Sequence, residues 1–246
     1  PVTHSGQLVY SLPLFIAYLA IQKDRIIPKF RPIVLTGIIF GILALLVNLK
    51  RGPWLACFFQ VLLFAMYSKN KKLAYSLFAS PLLLVVPSIY NRILHSTSDF
   101  LSSGGRSDMW LIGVDTISRF PMGIGFANSR YIRELHPFLP IGHRHLHNNL
   151  LNIALETGWT GLVLFFIFLF SVLSCCMTSV KELKNTYPRN NALLYLTVAS
   201  GLAIFGSQVA GIIEYNFGDG EIRLLLWLCV GIIASNISKR SNSCTH

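Results

Sequence analysis

Three histidines stand within five residues, at His143, His145 and His147, with Arg144 between the first two. Imidazole can act as a general base near neutral pH or as a zinc ligand. A His-x-His-x-His pattern would place three rings on one side of a strand, which is a possible zinc arrangement. Two observations argue against a zinc site. Arg144 adds a fixed positive charge within the run, and no cysteine and no clear His or carboxylate partner lies at the sequence spacing of a zinc ligand. His147 differs from the others because it precedes a predicted helix that Asn148 can cap, and it could take a proton from a hydroxyl.

The composition around this run is that of an integral membrane protein. Of the 246 residues, 53% are hydrophobic and 13% are charged, and the mean hydropathy is +0.56. Seven apolar segments approach the roughly 20 helical residues that cross a bilayer, and lipid does not tolerate open sheet edges. The predicted fold is therefore all-α, a polytopic transmembrane helical bundle with spans near residues 7–22, 32–49, 53–67, 73–90, 159–180, 191–213 and 223–238.

The charges of the short connectors predict the orientation of these spans. Basic connectors at 22–31, 68–72 and 181–190, together with the basic tail, alternate with the other connectors, and the positive-inside rule makes them cytoplasmic. The segment of about 90–158 is then a large, partly helical external loop in a single membrane domain of residues 1–246. Because the chain opens at Pro1 without an initiator Met or a signal peptide, we expect a fragment that lacks N-terminal spans.

The two membrane faces differ in their basic residues. The predicted inner face has eight Lys and four Arg, whereas the outer face has one Lys, Lys50, and eight Arg. Arginine presents a planar fork that fits phosphate, so the outer face is expected to bind an anionic or phosphate-bearing partner. For any single arginine, anchoring at lipid headgroups or pairing with one of the eight outer acids is the favoured alternative. The net charge of +11 is divided between two faces, which argues against nucleic acid.

The external loop contains several local signals. Residues 107–120 place Trp110, Val114 and Ile117 at helical spacing, which predicts a short amphipathic helix suited to lie on the bilayer. Proline and glycine in the following residues, 121–125, predict a turn. A second helix is expected after His147, and Gly158 should end or bend it.

Four motifs, in order, resemble those of the O-antigen ligase and polymerase superfamily of polytopic bacterial glycosyltransferases. Together they cover roughly residues 45–235, and Lys50 departs from the small hydroxyl residue that is common in the family at its position. The motifs are residues 49–54 (LKRGPW), residues 105–110 (GRSDMW) with 120–125 (FPMGIG), residues 147–151 (HNNLL) with 156–158 (ETG) and 161–162 (GL), and residues 214–219 (EYNFGD).

This resemblance implies transfer of a glycan from an undecaprenyl-pyrophosphate carrier to an acceptor hydroxyl at the periplasmic face of the bacterial inner membrane. The acceptor would be lipid A-core in a ligase, another carrier-linked glycan in a polymerase, or a protein side chain in related enzymes. The family works without a metal or a nucleotide sugar, so no cofactor is expected. Carried over residue by residue, the motifs make His147 the general base and Arg51 and Arg106 the pyrophosphate ligands.

Secondary candidates surround these three positions. Arg144 and His145 would contact phosphate or orient His147, and Asn148 lies beside the histidine. For Glu156, helix capping or pairing with an outer arginine is at least as well supported as a direct role.

Two hypotheses from other classes remain open. A flippase for lipid-linked oligosaccharides would use the outer arginines as a pathway, and it predicts ionisable groups deep within several spans. The proposed spans are nearly free of such groups. A metal-binding membrane sensor would use the histidine run instead.

Overall fold

The computed structural model describes residues 2–21, 30–68, 75, 85–102, 105–136, 145–186 and 192–243, and these residues form helices and turns without a strand. The predicted all-α class is therefore confirmed for this part of the chain. The helices are α1 (Val2–Ile21), α2 (Arg31–Val47), α3 (Arg51–Ser68), α4 (Pro87–Leu94), α5 (Ser96–Leu101), α6 (Arg106–Arg119), α7 (Ile132–Leu135), α8 (Asn149–Thr186), α9 (Ala192–Gly211) and α10 (Gly220–Ser243). A 3₁₀ turn at Asn128–Tyr131 precedes α7.

Helix α9 lies at the centre of the bundle and contacts α1, α3, α8 and α10. Its buried surface is rich in small residues, which allow neighbouring helices to approach closely. The Gln60 side chain of α3 packs against Gly206, and the Asn149 side chain of α8 packs against Gly211. These contacts fix the middle of α3 and the start of α8 relative to the second half of α9.

Polar side chains inside the bundle are paired across helices. The amide Nε2 of Gln60 donates to the carbonyl of Val9 at 2.8 Å and to the carbonyl of Leu202 at 3.1 Å, which links α3 to α1 and α9. The Tyr10 hydroxyl donates to Ser207 Oγ at 2.8 Å. Such pairing is required where no water can satisfy a polar group.

Two described helices, α8 and α9, are long and apolar enough to cross a membrane, and α2 is a shorter apolar helix. In the most apolar 18 residues of each helix, 11% of the residues of α8 and 56% of those of α9 are buried. The exposed face of α8 is therefore suited to lipid. Six of the seven predicted spans fall on α1, α2, α3, α8, α9 and α10, and most of the seventh, 73–90, lies outside the described residues. The seven-span topology therefore stays a prediction.

Helix α6 forms where the sequence predicts it, but its packing differs from the expectation. Its buried residues include Met109, Ile112 and Ile117, which form a core with Leu146 and with the first turns of α8. Val114, expected on the apolar face, is 55% exposed. The predicted face was partly wrong because Gly113 allows Leu146 to pack closely on that side of the helix, and α8 rather than the bilayer covers it.

Candidate active site

Four segments distant in sequence meet at one end of the bundle. They are the start of α3, the start of α6, residues 145–149 before and at the start of α8, and the turn 212–219 between α9 and α10. Gly52 makes the approach of α3 possible, because a Cβ at this position would lie 2.9 Å from the Ala210 carbonyl oxygen and 3.3 Å from Cγ of Glu214. The glycine of the 49–54 motif therefore allows close contact with the turn that carries Glu214.

Arg106 and Glu214 form an ion pair at this junction. Nη2 of Arg106 donates to Oε1 of Glu214 at 2.9 Å, and the side chains are 17% and 4% exposed. Arg106 is the first residue of α6, after Gly105 in extended conformation. The alternative in which an outer arginine pairs with an outer acid thus holds for Arg106. One Nη2 contact leaves further guanidinium donors that can point toward an anion.

His147 lies on the other side of the same carboxylate. Its Nδ1 is 3.9 Å from Oε2 of Glu214, which is longer than a hydrogen bond and corresponds to an electrostatic contact when the ring is protonated. Burial by itself raises the pKa of the Glu214 carboxyl. The contact with His147 and the positive charges of Arg106 and Lys50 outweigh burial, and the pKa is lowered to about 2. Glu214 is therefore ionised at neutral pH.

The backbone at His147 adopts a left-handed conformation, with φ of 50°. Residues other than glycine rarely adopt this conformation, although histidine does so more often than most, and such positions cluster at functional sites. Asn148 follows as the predicted cap, and its Oδ1 accepts from the Leu151 backbone N–H at 3.0 Å. The capping prediction is confirmed.

The two asparagines after His147 also attach the Glu214 turn to α8. Nδ2 of Asn148 donates to the Ile212 carbonyl at 3.0 Å. Oδ1 of Asn149 accepts from the Asn216 backbone N–H at 2.8 Å. Since these two bonds lie on either side of Glu214, the His-Asn-Asn run fixes both the histidine and the carboxylate that faces it.

His145 lies next to His147, with ring centroids 4.4 Å apart, and its ring is 5.3 Å from that of Tyr215. Burial and, to a lesser extent, the negative charge of Glu156 raise the pKa of Tyr215 to about 12, so this phenol is neutral at physiological pH. Within the described ranges no group of three or more His, Cys, Asp or Glu residues is arranged to hold a metal ion. His143 and Arg144 lie outside the described residues.

Arg51 and Arg106 line the same open pocket, of about 510 Å³. Trp110 forms part of its wall and is held there by its indole Nε1, which donates to the Leu146 carbonyl at 3.1 Å. Two arginines that line one pocket can together bind an anion with two or more negative charges. The other lining residues are Ser96, Thr97, Phe100, Leu101 and Ile213.

The turn at 121–125 docks onto a break in α8. Gly158 has φ of 71° and interrupts the helix, as the sequence predicts. Because the break releases carbonyls from helical pairing, Leu155 accepts from the Ile124 N–H at 2.8 Å and Glu156 accepts from the Gly125 N–H at 3.0 Å. The predicted turn is confirmed, and it stabilises the bend that precedes the apolar part of α8.

The Glu156 side chain contributes to this local structure. Its Oε1 accepts from the Ser129 backbone N–H at 3.4 Å, at the start of the 3₁₀ turn, and the residue is buried. This contact supports the capping alternative for Glu156 rather than a direct role in chemistry.

Sequence reasoning missed the role of Glu214, which joins Arg106 to His147. Two signals could have identified it: its position in the 214–219 motif, and the expectation that outer arginines pair with outer acids. Neither signal selects Glu214 from the eight outer acids without the packing of the bundle.

Comparison with known proteins shows a family and a relative to which this chain is similar. Residues 35–166 match the family described as O-Antigen ligase. A protein of Rickettsia felis, named as a proposed polysaccharide ligase, is 29% identical over 144 residues, which are 53% of this chain and 30% of that protein. The chain thus spans under a third of the length of this relative.

Proposed function

Because this chain belongs to the O-antigen ligase family, we propose that it transfers a glycan from undecaprenyl pyrophosphate to a hydroxyl of lipid A-core. The observation that carries the proposal is the meeting of Arg51 and Arg106 in one pocket, with His147 joined to Arg106 through Glu214. The two arginines supply an anion site, and the histidine supplies a base beside it.

The arginines bind the pyrophosphate of the donor. As the bond between the anomeric carbon and the pyrophosphate oxygen breaks, negative charge collects on the leaving group. The guanidinium groups of Arg51 and Arg106 stabilise this charge more strongly in the transition state than in the ground state, which accelerates the reaction. Phe100, Leu101, Trp110 and Ile213 form the apolar part of the pocket lining, beside Ser96 and Thr97.

His147 acts as the general base. Because Nδ1 faces Glu214, Nε2 is the nitrogen that takes the proton from the acceptor hydroxyl. The hydroxyl oxygen forms the new bond to the anomeric carbon while the bond to pyrophosphate breaks, which inverts the configuration. The proton on the imidazole then passes to water or to the released pyrophosphate.

The secondary candidates fit around these roles. His145 packs on the ring of His147 and helps to orient it, and Asn148 holds the segment in place. Arg144 adds a phosphate contact in this proposal. Glu156 has a structural role through Ser129.

The proposed setting is a single membrane domain, residues 1–246, in the bacterial inner membrane. Its loop of about 90–158 and its site face the periplasm. The reaction uses no metal and no other cofactor, because the guanidinium groups neutralise the leaving group. Partners are the carrier-linked glycan, the acceptor and membrane lipids, without nucleic acid.

The test uses the full-length protein in proteoliposomes with carrier-linked glycan and lipid A-core, in the presence of EDTA. We expect glycan on lipid A-core, and Arg51→Ala should lower the yield severely, while Arg133→Ala, at an exposed position on α7, should not. Lengthening of the carrier-linked glycan without lipid A-core product would replace the ligase with a polymerase. Loss of transfer on adding EDTA would overturn the metal-independent mechanism.

A further inference from the structure

Glu214 is buried between two groups that the proposed mechanism uses, and it contacts each with a different oxygen. Oε1 pairs with Arg106 at 2.9 Å and Oε2 faces His147 at 3.9 Å. The Glu214 side chain is 4% exposed, whereas that of His147 is 29% exposed. The carboxylate is therefore enclosed, while the histidine has access to solvent and to an acceptor.

The turn that carries Glu214 is held on several sides. The Glu214 backbone N–H donates to the Ala210 carbonyl at 3.1 Å, which continues the end of α9. Asn148 and Asn149 hold the residues on either side, as described above. Because the backbone on both sides of Glu214 is held, its carboxylate has a fixed position. A carboxylate in a fixed position favours the one orientation of the His147 ring in which Nδ1 faces it.

The charges around Glu214 come from three neighbouring segments. Lys50 lies before α3, Arg106 begins α6 and His147 precedes α8. Glu214 is the negatively charged member of this group. Its carboxylate offsets the positive charges of Lys50 and Arg106, which would otherwise oppose protonation of His147. His145 adds a second imidazole against His147.

We infer that Glu214 is a positioning residue that holds His147 with Nδ1 inward and Nε2 toward the acceptor, and that fixes Arg106 relative to this base. The inference rests on the proposed function. During proton transfer the N–H at Nδ1 approaches Oε2, and the carboxylate stabilises the imidazolium that forms. A shortening of about 1 Å would bring the 3.9 Å contact to hydrogen-bond distance, and catalytic hydrogen bonds are often long before substrate binds.

The test compares Glu214→Gln with Glu214→Asp in the full-length protein, using carrier-linked glycan and lipid A-core. Glu221→Gln is the matched control, because Glu221 is an exposed acid at the start of α10. For Glu214→Gln we expect kcat to fall by at least about tenfold with a smaller change in the KM for donor. The acidic limb of the kcat/KM profile should move to lower pH, since a neutral amide favours the imidazolium less. Glu214→Asp should recover part of kcat and keep the limb near its wild-type position.

A double variant separates positioning from a general structural role. The amide oxygen of a glutamine can still accept from Arg106, so Glu214→Gln mainly removes the negative charge beside His147. If Glu214 acts through His147, this substitution should lower the residual rate of His147→Ala by less than about twofold. A further tenfold loss in the double variant, or an unchanged pH profile in Glu214→Gln, would overturn the inference. Full activity of His147→Ala would instead overturn the proposed mechanism itself. If Glu214→Gln does not fold, Glu214→Asp alone tests the inference, because the shorter side chain of aspartate moves the carboxylate away from His147. A kcat and a pH profile that both equal those of the wild type would then contradict the positioning role.

Discussion

Arg106 and Glu214 are 108 residues apart in sequence and form an ion pair of 2.9 Å that is largely removed from solvent. The pair joins the start of α6 to the turn between α9 and α10. Its carboxylate also faces His147 at 3.9 Å. One buried acid thus connects the proposed anion-binding arginine to the proposed base, and each substitution around it has a distinct expected effect.

Replacing Arg106 by Lys tests the bidentate fork separately from its charge. A lysine retains a positive charge beside Glu214 but cannot present two parallel donors to a phosphate. We expect the transfer rate to fall by about a hundredfold, the usual effect of removing one donor to a transition-state anion. The measurement is the rate at saturating acceptor as a function of donor concentration.

Arg119→Lys is the matched control for this substitution. Arg119 ends the same helix and pairs with Asp115 at 2.9 Å on an exposed surface, so we expect it to transfer at the wild-type rate. An equal loss of transfer rate in both variants would mean that any substitution of an arginine in α6 disturbs the protein. That result would contradict the anion-binding role of Arg106.

Gly123→Ala tests the contact between the 121–125 turn and the break in α8. Gly123 has φ of 82°, and a Cβ there would lie 2.5 Å from the Glu156 carbonyl oxygen. The strain should cost on the order of 1–3 kcal/mol and lower the thermal unfolding temperature in detergent. Gly37→Ala, where a Cβ meets no atom within 4 Å, should leave that temperature unchanged or raise it. Equal unfolding temperatures for the two variants would show that this contact is absent.

Asn148→Ser separates the two roles of Asn148. Serine can still cap α8, but it has no amide to donate to the Ile212 carbonyl. We expect Asn148→Ala to lower stability by about 1 kcal/mol and Asn148→Ser to recover most of that loss. Both variants should transfer slowly, because the Glu214 turn loses one attachment. A serine variant with wild-type transfer would assign Asn148 to capping alone.

The lowered pKa of Glu214 predicts a loss of stability in acid. Its pKa is about 2 in the folded protein, against an ordinary value of 4.5. The ionised carboxylate therefore stabilises the fold above pH 4.5, and this contribution, on the order of a few kcal/mol, disappears as the pH falls toward 2. Between pH 4.5 and 2, the free energy of unfolding should fall more steeply with decreasing pH in the wild type and in Glu221→Gln than in Glu214→Gln. The same acid dependence in all three proteins would contradict the assignment.

The sequence was sufficient where the signal is local. The helical spacing in residues 107–120 predicts α6, and the glycine at 158 predicts the break in α8. The buried face of α6 was less predictable, because this helix carries apolar residues on two sides. Leu111 and Val114 are 70% and 55% exposed, while Met109 and Ile112 are buried.

The candidate site could likewise be predicted from the sequence only in part. Residue type and motif position suggested Arg106 and His147 individually, since each has chemistry of its own. Their connection through Glu214 depends on how the end of α9 packs beside the starts of α3 and α8. Contacts between residues so distant in sequence leave no local pattern, which is why the acid was not among the predicted site residues.

The role of His147 as the general base is tested by the single-turnover transfer rate of His147→Ala, measured with donor already bound. We expect the rate to fall by a factor of roughly 10² to 10⁴, with nearly unchanged binding of the donor. His95→Ala, at an exposed histidine outside the site, should keep the wild-type rate. Transfer by His147→Ala at the wild-type rate would show that His147 is not the base.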